Sequence, residues 1–142
     1  MFDKLAQIQD LNKRKELLLI EEQNATKAIL TDFELIPLLY KWFKEAQAEI
    51  ARKEGEVTKR REFLFIVLYL YAPKSLIKGH LPDGLRDTLV NALNSVNKSS
   101  ISNDINYLYL FYKQYINFRN AVEYAYAFIM DKLSNEKLLL LP

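Results

Sequence analysis

Apolar residues fall at helical spacing along most of this chain. Phe2, Leu5, Ile8 and Leu11 recur every three residues, and Leu17 to Ile20 add a second apolar group. Lys13, Arg14, Lys15, Glu16, Glu21 and Glu22 supply a charged face, so residues 2–28 read as a surface helix with one apolar stripe. The stretch "TDFE", residues 31–34, has the form of a capping box in which Thr31 accepts from the Glu34 amide. Pro37 is tolerated only in a first turn, which moves the regular start to about Pro37. Leu38, Leu39, Trp42, Phe43, Ala46 and Ile50 then mark a buried face, and Gly55 is the expected stop.

Residues 51–63, "ARKEGEVTKRREF", mix five bases with three acids and read as a solvated turn and helix start, with Thr58 as the expected N-cap. "REFLFIVLYLYAP", residues 61–73, is apolar on every side. A lone strand cannot satisfy its backbone groups, so the pattern predicts a central buried helix over 58–72, ended by Pro73. "PKSLIKGHLPDG", residues 73–84, is the one clear connector. Asp83 is then the expected cap of a helix carrying Leu85, Leu89, Val90 and Leu93. Ser99 or Ser100 caps the next, from Ile101 to Tyr115, in which Ile101, Ile105, Leu108 and Tyr112 share a face. Asn117 opens a last helix lined by Phe118, Val122, Tyr126, Ile129 and Leu133. The tail "KLLLLP", residues 137–142, is costly to expose.

The 142 residues thus predict an all-α fold: a single compact bundle of five or six helices containing a helix-turn-helix-like pair. The one domain, 1–142, divides into N-terminal helices (1–57), a helix-turn-helix-like core with the last helix (58–133) and the apolar tail (134–142). The longest apolar run, Phe63 to Ala72, is ten residues, whereas spanning a bilayer takes roughly 20, so no membrane partner is expected. The start "MFDKLAQIQD" lacks a signal-peptide run, so secretion is not expected. With no cysteine there is no disulfide, thiol chemistry or cysteine-zinc site. A net charge of +2 is low for a dedicated nucleic-acid binder.

Within 85–107, Leu89 and Leu93 anchor a first helix, Asn94 stands where a corner often carries glycine, and Val96, Ile101 and Ile105 fill the inner side. "SSIS", residues 99–102, resembles the "STVS" opening of many recognition helices. The outward residues on this reading are Lys98, Ser99, Ser102, Asn103 and Asn106, the candidate DNA contacts; asparagine reads adenine edges and lysine meets phosphate. Asp104 on the same side would repel phosphate, and one extra residue around Ser95 lengthens the corner.

Nine of the eighteen aromatics lie in residues 107–128. One helix cannot turn all of 107–115 inward, and tyrosine suits protein interfaces because its hydroxyl stays satisfied at the rim. Tyr107, Tyr109, Tyr112 and Tyr115, with Leu138, Leu139, Leu140 and Leu141 of the tail, are the candidate protein interface. Catalytic equipment is sparse: His80 is the only histidine, and a metal set of His80, Asp83 and Asp87 is a weak pattern beside the simple capping role of Asp83. No cofactor, metal or enzymatic activity is expected.

The order "FL-aliphatic-LY-P-SL-G-LP-GLRD-L", followed by a serine-rich helix start and "Y-x-x-Y-x-x-FR", spans residues 59–126. It resembles small helical proteins of tailed bacteriophages, crAss-like phages among them, and of related mobile elements. Where those proteins tend to have a tight glycine corner, this chain has "LNSVNKS". The resemblance implies a virion protein of the portal and neck region or a helix-turn-helix regulator. The leading expectation is therefore a non-enzymatic phage structural protein. It would build a ring or head–tail connector as a homo-oligomer with other virion proteins, in the virion or host cytoplasm. The alternative is a DNA-binding regulator.

Overall fold

The structure, a computed structural model, describes residues 1–50, 54–94 and 96–139. These are helical, without a strand among them. The elements are α1 (Asp3–Ala25), α2 (Ile36–Glu49), α3 (Glu56–Tyr71), α4 (Ser75–Lys78), α5 (Leu85–Leu93), α6 (Lys98–Ile105), α7 (Leu108–Gln114) and α8 (Ile116–Asn135). The expectation of five or six helices is corrected to eight among the described residues, for two local reasons. The connector holds a one-turn helix, α4, closed by Gly79 at φ 69°, a conformation glycine adopts without strain. The helix predicted over 101–115 is two helices. The Tyr107 amide bonds the Asp104 carbonyl three residues back, tightening the end of α6, and the helix restarts at Leu108.

The caps also differ from expectation. Asp32, not Thr31, accepts from the Glu34 amide at 2.9 Å and starts a 3-10 turn, Phe33–Leu35, that runs into α2 with Pro37 in its first turn. Gly55 precedes α3 instead of ending α2, and α3 begins at Glu56, so Thr58 lies inside it. Gly84 at φ 86°, not Asp83, precedes α5, and Asn97 caps α6 by accepting from the Ser100 amide at 2.8 Å. Tyr115 rather than Asn117 precedes α8.

α3 is the axis of the body. Phe63 to Leu68 are buried without a break, and α2, α4, α6, α7 and α8 surround them. Tyr71 at its end donates to the Asp32 carbonyl at 2.6 Å and meets Phe33 edge-on, which fixes the entry to α2. Burial pushes the Tyr71 phenol well above its ordinary range. The chain enters beside it, where the Ile29 and Leu30 amides both bond the Leu70 carbonyl. Leu39, Phe43, Ile101, Ile105, Ile129 and Leu133 of α2, α6 and α8 pack around this axis, and α5 adds Leu85 and Leu89 to the same core from its place against α2 and α6, as their spacing predicts.

α8 ends in a Schellman motif: the Lys137 amide bonds the Ser134 carbonyl at 3.1 Å and the Leu138 amide bonds the Leu133 carbonyl at 2.9 Å. This reverses the chain and lays Leu138 and Leu139 half-buried against the core, whereas Leu140 and Leu141 lie outside the described residues. The reversal puts Lys137 at φ 58°, where a Cβ is strained. Lys137→Gly is expected to raise the unfolding free energy by about 0.5–1 kcal/mol, since relief of strain exceeds the added chain entropy. Urea denaturation checks this, and unchanged or lowered stability contradicts it.

Candidate interaction surfaces

α5 and α6 pack together, and Asn94 directly after α5 takes a positive φ of 62°; Ser95, where the corner is expected to lengthen, lies outside the described residues. Leu89, Leu93, Ile101 and Ile105 are buried between this pair and the rest of the body. Asp104 does not face outward. It is 4% exposed, on the same side as Ile101, Ile105 and Leu108, and its carboxylate holds two arginines of α3. Arg60 reaches Oδ2 through Nε at 2.9 Å and Nη2 at 2.8 Å, and Arg61 Nε donates to Oδ1 at 3.0 Å. The expected phosphate repulsion from Asp104 therefore gives way to an ionic latch between α3 and α6. Bidentate geometry and shared acceptors make such a pair strong where it is shielded.

Of the candidate DNA contacts, Lys98, Ser99, Asn103 and Asn106 are exposed and Ser102 is half-buried. Lys98 is the only base in the α6 sequence, and it pairs with Asp87 at 2.7 Å. Both partners of that pair are well solvated, so it is worth at most about 1 kcal/mol and does not lock Lys98. The shortage is of cations: Arg60 and Arg61 are already held by Asp104.

The tyrosines divide. Tyr109 and Tyr112 line an open, largely apolar groove of about 360 Å³. Phe65, Ile66 and Tyr69 of α3 form its floor; Leu76 and Ile77 of α4 form one wall, and Val122, Glu123 and Tyr126 of α8 the other. Its rings are braced against each other. Tyr112 stacks on Phe65 at 5.0 Å and donates to Glu123 Oε1 at 2.7 Å; Tyr69 meets Tyr126 edge-on at 5.4 Å. The bond to Glu123 holds the Tyr112 phenol above its ordinary pKa. Arg119 of α8 donates to the carbonyls of Tyr112 and Lys113, closing the open end of α7 against α8. Tyr107 and Tyr115 lie elsewhere, both exposed, each beside Phe111.

The largest apolar surface is one the candidate residues did not include. No residue of α1 is buried. Leu5, Ile8, Leu11 and Leu17 to Ile20 are each 44–65% exposed, and Phe2 more so. At about 100° per residue, Leu17 to Ile20 point to all sides of the helix. A side-chain clip among the described residues ties α1 to the body, Lys74 Nζ to Glu22 Oε1 at 2.6 Å. That hydrogen bond, and the Lys74 charge behind it, hold the Glu22 carboxyl below its ordinary pKa. Consistent with a long, unpacked element, the chain exposes 9769 Å² at 16.7 kDa. A compact monomer of that mass exposes about 7,600 Å², so roughly 2,000 Å² is in excess.

No helix among the described residues is long and apolar enough to cross a membrane. No group of three histidine, cysteine or acidic side chains there is placed to hold a metal. No family model, curated protein or solved structure matches the chain.

Removing the shared carboxylate tests the latch. Asp104→Ala leaves two arginines facing a vacated site, and breaking a fully buried pair costs about 3–5 kcal/mol. Because Arg60 and Arg61 keep partial access to water, the expected loss is about 2–3 kcal/mol by urea denaturation. A loss below about 1 kcal/mol contradicts the latch.

Proposed function

We propose that this chain is a non-enzymatic assembly protein that acts by self-association through helix faces, of the kind that builds a virion ring or head–tail connector. The observation that carries the reading is α1, a 23-residue helix with no buried residue and a stripe of exposed leucines and isoleucines. Such a stripe is stable in water only when something covers it. The groove, with Tyr109 and Tyr112 in it, supplies a second apolar surface on the same molecule. The phage setting, with other virion proteins as further partners and the virion or host cytoplasm as location, is supported by the resemblance of residues 59–126.

The magnitudes favour reversible assembly over a permanent dimer. Covering the remaining half of a leucine or isoleucine gains on the order of 1 kcal/mol. A partner covering one side of α1 reaches only part of these side chains at once, a gain of a few kcal/mol with the residues it meets, against an association cost of at least about 4 kcal/mol. The result is an interface whose occupancy depends on concentration. A regulator using α6 draws support from the exposure of Lys98, Ser99, Asn103 and Asn106, but a single cation on that helix supplies little of the phosphate term on which duplex affinity rests.

Sedimentation equilibrium tests the proposal. The native chain is expected to gain mass in whole multiples as concentration rises, and the triple variant Leu5→Glu, Ile8→Glu, Leu18→Glu to remain a folded monomer. A native chain that stays monomeric up to hundreds of micromolar overturns the reading.

A further inference from the structure

We infer that the N-terminal half of α1 from a second copy lies in the groove between α3, α4, α7 and α8, so that every copy donates one helix and receives another. This rests on the assembly reading above and names the partner of its main surface.

The two surfaces match in polarity and in charge. Leu5, Ile8 and Leu11 recur on one side of α1, and the groove offers Tyr69, Ile77 and Tyr109 as exposed apolar counterparts. Glu123 is the one charged residue lining the groove. Over residues 1–15 both acids, Asp3 and Asp10, fall across the helix from the stripe at about 100° per residue, and Asp10 is already paired with Arg14. Lys4 and Lys15 fall within the sector of the stripe on the same count. A seated helix therefore brings lysine, and not carboxylate, toward Glu123.

Docking onto the helix's own groove is opposed by length. Glu22 is clipped to Lys74, next to the groove residues Pro73 and Leu76. Leu5 to Leu11 precede Glu22 by 11 to 17 residues, roughly 16–26 Å along a straight helix. No residue of α1 lines the groove of its own chain. A donor–acceptor contact is heterologous, and it closes into a ring or continues as a filament according to its rotation.

The chain has no cysteine, so two exposed positions can be paired cleanly. Ile8→Cys and Ile77→Cys chains, prepared separately, are mixed and mildly oxidised. The expected result is a covalent pair of one chain of each kind, at least about fivefold above either variant alone, and a ladder of multimers from the double variant. Glu123→Lys is expected to cut the cross-link about tenfold, with partial recovery when Lys4→Glu and Lys15→Glu are added to the donor. Efficient cross-linking of Ile8→Cys with itself, or an internal link within one chain of the double variant, overturns the inference. Sedimentation of the unoxidised variants separates the two levels. Assembly without the 8–77 link contradicts the seating alone, and monomers contradict the assembly reading as well.

Discussion

A helix that is apolar on every side has to be surrounded, because any face left open keeps hydrocarbon in water. In α3 that requirement is met inside the chain: the unbroken run Phe63 to Leu68 is covered by five other helices, and the body is arranged around it. Leu17 to Ile20 in α1 pose the same demand for a full turn, yet each stays more than half exposed. The body has its core, while the apolar side chains of α1 remain exposed. On the assembly reading proposed above, what α3 obtains from its own chain α1 would obtain from another.

The body's polar bonds fix how α6, α7 and α8 sit against α3. Asp104 draws Arg60 and Arg61 of α3 onto α6. The tight turn at Asn106–Tyr107 then redirects the chain so that Leu108 is buried while Tyr109 and Tyr112 stand along the groove. Arg119 closes α7 against α8, and Glu123 fixes the Tyr112 hydroxyl. These bonds restrain the elements from which the groove is built, so its apolar surface is preformed.

Much of this was legible in the residues. The inner faces of α5 and α8 follow from periodicity, and the buried central helix from a run that is apolar on every side. The positive φ at Asn94 follows from its place where a corner often carries glycine. Two things were not legible. Asp104 looked like an outward acid because α6 was read as a groove-facing helix, yet it stands in register with Ile101, Ile105 and Leu108. An acid in an apolar register needs a cation, and Arg60 and Arg61 sit just before the buried run. The stripe of α1 was plain, but periodicity shows that a face is apolar, not which body covers it. Likewise the four leucines marked an anomaly without showing that Lys137 would turn the first two back onto the core.

The most direct measurement is amide hydrogen exchange at a series of concentrations. Most helix stability in proteins comes from tertiary packing, which α1 lacks in the single chain, so α1 outside an assembly exchanges fast. The account predicts that amides of residues 5–25 gain protection steeply as concentration rises, while those of Phe63 to Leu68 stay protected throughout. Protection of α1 that is the same at the lowest and highest concentrations, whether high or absent, contradicts it.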